Sequence, residues 1–370
     1  MRAAVLILTA VLGGCSSIQL GDPLGRLDLE APVAPIQQVW ERDVQGAFGP
    51  SAPTVTQRYV VVGTRRGEVV VLDRETGVSK GVGEFGDSVE GAVAVSEDGG
   101  VIYVPTAERD GGVEAYDVAR GRRVWRWKGG AIEGGVARVG SVLIVPLLQS
   151  KIIALEAATG RELWSRDPVV GVQIHAAPVV ASSRSGRTLD ASAVIADDRG
   201  HVQRLEVATG RPLWTVEIGE PVHATPALEN GLLIVTTTRG SVLALEAETG
   251  AERWRVASET VLRASPPALM DGLAVVGFTD GTVRALALED GAERWRYRTD
   301  GNVTATPLPL GDQVAVGTMD RRLLLLDAET GRETWSARLR GRVKSALGVG
   351  GGLLVALVEP RHVVAFQSVP

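Results

Sequence analysis

The 370-residue sequence predicts an all-β fold, an eight-bladed β-propeller of four-stranded antiparallel blades whose last blade is closed by N- and C-terminal strands. Three observations predict it. A turn motif ending in glycine recurs about every 40 residues, a tryptophan follows most copies of that glycine, and one strand at each end of the chain lacks its neighbours. A repeat of this length built from four short strands is typical of propeller blades.

The repeated turn is the strongest of these signals. Seven copies end in glycine, at Gly77, Gly121, Gly160, Gly210, Gly250, Gly291 and Gly331. Six are followed four residues later by tryptophan, at Trp125, Trp164, Trp214, Trp254, Trp295 and Trp335. Gly81 takes that position in the first copy. The one long spacing, from Trp164 to Trp214, is explained by about ten extra polar residues, 182–191, in a loop.

Each copy has the same order of strands and turns. In the fifth, buried and alternating runs at residues 232–236, 241–245 and 253–256 predict the second, third and fourth strands. A turn at Asn230-Gly231 precedes the second strand, and turns at Arg239-Gly240 and at residues 248–250 separate the three strands. At the chain ends, residues 363–366 predict a third strand with no fourth, and residues 38–42 a fourth with no third. Joining these two strands completes an eighth blade and leaves no exposed sheet edge.

The tryptophans allow two interpretations, an aromatic binding surface or a structural contact. Their fixed place on the outer strand favours the second, in which each indole lies over a glycine turn and against the neighbouring blade. Trp127 is off the repeat position, and we expect it at the surface.

The N-terminal residues predict export and an anchor. Residues 1–14, with one arginine, a short apolar run and small residues at its end, are typical of a signal peptide. Leu12-Gly13-Gly14-Cys15 resembles the bacterial lipobox, which implies a lipidated Cys15; the alternative is an ordinary secretory peptide with a chance cysteine. Ser16 after it, by the lipoprotein sorting rule, favours the outer membrane. Residues 15–36 are interpreted as the lipidated cysteine and a tether, and residues 37–370 as the propeller.

No catalytic or metal-binding constellation is recognisable. The four histidines (His175, His201, His223 and His362) lack metal-ligand spacing, and no glycine-rich phosphate loop follows a strand. Acidic residues recur before the turn glycines, among them Asp73, Glu156, Glu206, Glu246 and Asp327. They suggest either a repeated metal array or acceptors of local turn hydrogen bonds, and we expect the latter. A net charge of −5 argues against a nucleic-acid partner. We expect no cofactor and no small-molecule substrate.

The repeat core, from Ala157 through Thr159-Gly160 to Trp164, resembles the propeller of quinoprotein dehydrogenases. Those enzymes carry a vicinal cysteine pair at the cofactor, whereas this chain has Cys15 alone. The resemblance therefore implies the fold and not the redox chemistry. Lipobox, short tether and eight blades together resemble the BamB family of the outer-membrane β-barrel assembly machinery. That family implies a non-enzymatic lipoprotein that faces the periplasm, docks on the POTRA domains of BamA within the Bam complex, and assists insertion of β-barrel proteins.

Two alternatives remain open at the level of sequence. One is a quinone-cofactor-dependent periplasmic dehydrogenase, suggested by the repeat alone. The other is a propeller scaffold that serves a different envelope complex.

A partner site is expected at one mouth of the ring. Alignment on the first-strand proline places one residue per blade there: Pro50, Glu90, Glu133, His175, His223, Arg263, Thr304 and Lys344. Solvated strand starts are the competing interpretation. The family resemblance implies a Leu-Arg contact at Leu262 and Arg263, while a second family leucine falls at Thr260. The family's acidic contacts fall at Asn302 and Thr304, with Asp300 nearby.

Overall fold

The computed structural model describes residues 18–167, 171–181, 191–258 and 260–369. The signal peptide, Cys15 and all of the extra loop 182–191 except Ala191 lie outside these residues. Within them, every regular element is a β-strand, and the strands form eight four-stranded antiparallel sheets. The predicted eight-bladed propeller is confirmed.

The strands follow the chain blade by blade. The N-terminal strand is β1 (Ile36–Asp43); blade 1 is β2 (Thr54–Val55), β3 (Tyr59–Gly63), β4 (Glu68–Asp73) and β5 (Ser79–Glu84); blade 2 is β6 (Ala94–Val95), β7 (Val101–Pro105), β8 (Gly112–Asp117) and β9 (Arg122–Lys128); blade 3 is β10 (Ala137–Val139), β11 (Val142–Pro146), β12 (Ile152–Glu156) and β13 (Glu162–Arg166); blade 4 is β14 (Val179–Ala181), β15 (Ser192–Ala196), β16 (His201–Glu206) and β17 (Pro212–Glu217). Blade 5 is β18 (Ala227–Glu229), β19 (Leu232–Thr236), β20 (Val242–Glu246) and β21 (Glu252–Val256); blade 6 is β22 (Ala268–Met270), β23 (Leu273–Gly277), β24 (Thr282–Ala287) and β25 (Glu293–Arg298); blade 7 is β26 (Leu308–Leu310), β27 (Gln313–Gly317), β28 (Arg322–Asp327) and β29 (Glu333–Arg338); the chain ends with β30 (Gly348–Gly350), β31 (Leu353–Val358) and β32 (His362–Ser368).

Blade 8 combines the two chain ends. Its sheet has the order β1-β32-β31-β30, and β1 runs antiparallel to β32 with Ile36 opposite Ser368 and Asp43 opposite His362. The predicted closure is therefore confirmed. The pairing covers the edge of β32 that would otherwise have no neighbouring strand.

The core lies between neighbouring blades. Most second and third strands are aliphatic runs, such as β11 with all five residues buried, because both of their faces are covered by adjacent sheets. One hydrophobic cluster contains Val275 of blade 6 and Leu324 of blade 7. Each of the other clusters likewise contains residues of two neighbouring blades. Outer strands alternate between exposed and half-buried residues, as expected for sheets with one solvated face.

Tryptophans on the outer strands join most blades to the next. Trp254 lies on Gly291 of the following blade, where a Cβ atom would approach within 2.8 Å of the indole. Its Nε1 donates to the Leu288 carbonyl at 2.8 Å. The same bond, at 2.7–3.0 Å, joins Trp40 to Arg74, Trp125 to Ala157, Trp164 to Val207, Trp214 to Ala247 and Trp295 to Ala328. The predicted contact between indole and neighbouring turn glycine is confirmed for five of the six repeat tryptophans, Trp125, Trp164, Trp214, Trp254 and Trp295. Trp335 instead lies edge-on to Phe366 of blade 8, with ring centroids 5.9 Å apart.

The N-terminal segment fills the one contact that has no tryptophan. Blade 1 carries Gly81 at the tryptophan position, so Gly121 of blade 2 has no indole above it. Ile18 and Gln19 cover Gly121 instead, and Ile18 is fully buried among core residues of blades 1 and 2. The Leu20 N–H donates to the Val118 carbonyl at 2.8 Å. Val118 stands three residues before its turn glycine, the position that accepts an indole N–H elsewhere.

Residues 18–35 therefore do not extend from the ring as the predicted tether. They run across the face that carries the turns between first and second strands, here called the lower face. Leu24 donates to Gly99, Thr56 to Leu24, and Gly352 to Glu30, which ties the segment to blades 2, 1 and 8 in turn. Apolar residues buried between blades hold the segment down, a tertiary contact that its glycine- and proline-rich composition does not show.

Candidate partner-binding mouth

The opposite, upper face carries the connections that enter each blade and the turns between second and third strands. A cavity of about 670 Å³ opens there at the mouth of the channel. All eight residues predicted for this ring line it: Pro50, Glu90, Glu133, His175, His223, Arg263, Thr304 and Lys344. In seven blades the lining residue stands four positions before the first residue of the innermost strand.

Blade 6 departs from this register by one residue. Four positions before Ala268 stands Ala264, not Arg263, so the sequence alignment was off by one in this blade. The segment from Trp254 to Ala268 is one residue longer than its counterparts in blades 5, 7 and 8. Two prolines, Pro266 and Pro267, precede the strand in this blade, and alignment on the first of them produced the shift.

The tip of this connection is exposed. Val261 is 81% exposed, the highest value among the exposed large hydrophobic residues of the described chain, and sequence reasoning did not select it. Leu262 is half-buried and packs against the core between blades 5 and 6. Arg263 is exposed, and its backbone is bonded in both directions to Thr279 of the neighbouring turn. A fixed backbone thus presents an aliphatic and a cationic side chain together.

A chain of polar side chains follows the mouth from blade 3 to this connection. The Nδ1 of His175 donates to the Glu133 carboxylate at 2.7 Å. The rings of His175 and His223 stack with centroids 4.2 Å apart. A guanidinium nitrogen of Arg263 lies 3.2 Å from Nδ1 of His223, which accepts this hydrogen bond in its neutral form.

Charge and burial favour that neutral form. Burial, and then the positive charges of His175 and Arg263, lower the pKa of His223. The hydrogen bond from His175 lowers the pKa of Glu133. The His223 ring therefore resists protonation beside Arg263.

Arg263 differs from the other cations at the mouth. Arg65 pairs with Glu90 at 3.1 Å and Lys344 with Glu359 at 2.8 Å. Within the described residues, no carboxylate lies within 4.0 Å of Arg263. With respect to the described part of the chain, its guanidinium thus keeps capacity to bind an acidic group.

The remaining predicted contacts lie on the next blade. Asp300 and Asn302 are exposed and do not line the cavity. Thr304 does line it, and its Oγ1 is buried without a hydrogen-bond partner. The structure therefore brings Arg263 and Thr304 to one cavity and places Leu262, Asp300 and Asn302 outside its lining.

The acidic turn residues form hydrogen bonds within their own turns. Asp73 accepts from Thr76, Glu156 from Thr159, Glu206 from Thr209, Glu246 from Thr249 and Asp327 from Thr330. The expectation of local turn acceptors is confirmed. Over the described ranges, no cluster of three or more histidine, cysteine or acidic residues could hold a metal ion. In the same part of the chain, no helix has the length and apolarity to cross a membrane.

Ring, repeat and mouth define a class, the eight-bladed propellers with quinoprotein-type tryptophan repeats. The sequence model of one family, described as outer membrane protein assembly factor BamB, matches residues 36–181, 149–310 and 301–369. The chain belongs to the BamB family.

Individual relatives agree with this assignment. BamB of Nitrosomonas eutropha is 30% identical over 285 residues, covering 69% of this chain and 67% of that protein. BamB of Xanthomonas campestris is 29% identical over 238 residues, covering 48% of this chain and 57% of that protein. The serine/threonine-protein kinase AfsK of Streptomyces griseus is 30% identical over 167 residues, which are 42% of this chain and 20% of the kinase. The match thus spans about half of the Xanthomonas protein and a fifth of the kinase.

Solved structures show the same fold. BamB from Moraxella catarrhalis superposes with a TM-score of 0.73 at 21% identity, covering 90% of this chain and 98% of that chain. The quinohemoprotein alcohol dehydrogenase ADHIIG of Pseudomonas putida superposes with a TM-score of 0.74 at 12% identity, covering 96% of this chain and 83% of that one. The fold is therefore common to a BamB protein and to an alcohol dehydrogenase.

Proposed function

We propose that this protein is a non-enzymatic scaffold lipoprotein of the outer-membrane β-barrel assembly complex. In this proposal Cys15 is lipidated, the propeller faces the periplasm, and the upper mouth binds the POTRA region of BamA. Family membership supports the assignment to this complex. The observation that carries the binding site is the protruding connection of blade 6, where Val261 and Arg263 are exposed on a fixed backbone.

The chemistry of that connection suits a protein surface with an acidic side chain. Interface energy is concentrated in a few anchors, often an arginine beside apolar contacts. Arg263 has free donors, and Val261 offers apolar area beside it. The exposed Asp300 and Asn302 extend the proposed surface to the next blade, with Leu262 and Thr304 behind it.

Binding of the processed protein to the POTRA region of the same organism's BamA tests the proposal by calorimetry. Arg263→Glu should weaken binding by about 1–3 kcal/mol, and Val261→Asp should weaken it as well. The matched control is Arg294→Glu, another exposed arginine, located on the outer strand β25. Absence of association with unsubstituted protein would contradict the proposed partner. Equal effects of the substitutions at positions 263 and 294 would exclude Arg263 from the interface.

Two further measurements test the anchor and the absence of catalysis. The mass of the N-terminal peptide should show an acylated Cys15, and Cys15→Ser should release the protein from outer-membrane vesicles. Dye-linked oxidation of alcohols and sugars, after addition of pyrroloquinoline quinone and calcium, should show no saturable turnover. Saturable turnover would favour a dehydrogenase instead.

A further inference from the structure

The outer strand of blade 2 is unlike the other seven outer strands. β9 carries four cations, Arg122, Arg123, Arg126 and Lys128, together with Trp125 and Trp127, and contains no acidic residue. Every other outer strand, from β1 to β29, contains at least one aspartate or glutamate. The position two residues before the repeated tryptophan is glutamate in β13, β21, β25 and β29 but arginine in β9.

The positive charge of β9 is only partly compensated. One carboxylate, the buried Glu114, lies 2.9 Å from Arg123 and 3.7 Å from Arg126. Within the described chain, Arg122 and Lys128 have no carboxylate within 4.0 Å. Val124 is 47% exposed between these cations, and Trp127 is half-buried, not fully at the surface as its off-repeat position suggested. The strand therefore presents unneutralised cations around apolar and aromatic area.

The N-terminal segment enters the ring beside this strand. Gln19 packs on Gly121, the residue immediately before β9. Cys15 precedes Gln19 by four residues, which span at most about 14 Å when fully extended. A lipid on Cys15 would therefore keep this rim of blade 2 close to the surface of the bilayer.

We propose that the rim of blade 2 formed by β9 is a second membrane contact that binds the headgroups of anionic phospholipids. The proposal rests on the lipidation of Cys15 proposed above. Clustered lysine and arginine residues are attracted to anionic leaflets, and tryptophan favours the membrane interface. A lipid chain combined with a basic patch anchors a protein more firmly than a single chain does.

This contact would also orient the ring. β9 is the outermost strand of its blade, whereas the cavity lies at the ends of the innermost strands. A propeller that rests on β9 stands on its rim, so its upper mouth opens sideways along the membrane. The exposed Val261 and Arg263 would then face a partner located beside the protein in the same bilayer.

Fluorescence quenching in vesicles tests the contact. The full-length gene is expressed, and the processed protein is reconstituted in vesicles containing phosphatidylglycerol and a headgroup-linked quencher. A fluorophore is attached at Val124→Cys or, as matched control, at Leu213→Cys. Leu213 has the same place before its tryptophan on β17 and a similar exposure of 42%. We expect strong quenching at residue 124 and little at residue 213.

A charge variant adds a second criterion. Replacing Arg122 and Lys128 by glutamine leaves the Glu114 ion pairs intact and should reduce quenching at residue 124. Arg294→Gln, on β25, should leave it unchanged. Equal quenching at residues 124 and 213, or quenching unaffected by the double substitution, would overturn the proposal. Protection of the residue-124 label by an added acidic protein but not by lipid would overturn it in favour of a protein partner.

The two proposals fail in different ways. Acylated protein that sediments with vesicles but shows no quenching at residue 124 keeps the anchor and refutes the β9 contact. Protein with an unmodified Cys15 refutes the anchor. In that case, quenching of residue 124 by added anionic vesicles supports the β9 contact, and its absence refutes it.

Discussion

The N-terminal segment should contribute measurably to the stability of the ring through Ile18. Its side chain is fully buried between blades 1 and 2, where it packs near Phe85 and Gly83. Removing most of a buried isoleucine costs about 2–5 kcal/mol, because both transfer energy and packing contacts are lost. We therefore expect Ile18→Ala to lower the free energy of unfolding by about 2–5 kcal/mol.

Urea unfolding followed by tryptophan fluorescence measures this effect. The matched control is Leu29→Ala in the same segment, since the Leu29 side chain is 78% exposed and should lose little. Equal unfolding midpoints for the two variants would refute the reasoning, because the segment would then contribute no buried contact.

A rescue experiment tests whether the N-terminal segment takes the place of the missing tryptophan of blade 1. A chain that begins after Leu24 loses both the cover of Gly121 and the donor to Val118. Adding Gly81→Trp to that chain should restore the contact made by the other blades, with the indole on Gly121 and its Nε1 donating to the Val118 carbonyl. A partly buried indole recovers about 2–4 kcal/mol at 25 cal/mol per Å². If Gly81→Trp does not raise the free energy of unfolding of the shortened chain, the segment and the indole are not equivalent.

Three further predictions concern the blades and the mouth. Gly331→Ala should be strongly destabilising, because φ is +69° and a Cβ would lie 2.5 Å from Trp295. Gly311→Ala is the control, since φ is a similar +62° but the space around a Cβ is open. Similar losses of melting temperature for the two variants in calorimetry would refute the role of the indole contact. Trp254→Phe should lower the free energy of unfolding by about 1–3 kcal/mol beyond the loss expected from the smaller buried area, because the Leu288 carbonyl loses its donor. An infrared or unfolding comparison with Trp127→Phe provides the control. The lowered pKa of His223 means that the folded state binds fewer protons than the unfolded state, so stability should fall as pH drops through the ordinary value of 6.5 toward the lowered pKa. His223→Gln should flatten this pH dependence of stability in urea titrations at several pH values. An unchanged slope of stability against pH would contradict the assignment.

The architecture could be predicted because the signals are local and repeated. The turn glycines, the tryptophan spacing and the two unpaired end strands each report on a single hairpin or strand, and the seven copies of the turn reinforce one another. The eight ring positions were also predicted, because the proline before the first strand marks the same register in most blades. The exception was blade 6, where Pro266-Pro267 offers two alignments and only the strand pairing of Ala268 with Val275 selects the second.

The sequence by itself determined the number of blades, their four-stranded form, the closure by β1 and the pairing of tryptophan with glycine, because these follow from periodicity and residue size. Tertiary structure alone decided that residues 18–35 lie along the lower face, that Ile18 fills the contact left open by Gly81, and that Val261 protrudes at the upper mouth. It also joined Glu133, His175, His223 and Arg263 into one polar chain. These features depend on contacts between residues far apart in the chain, and a composition rich in glycine and proline carries no record of the surface against which it packs.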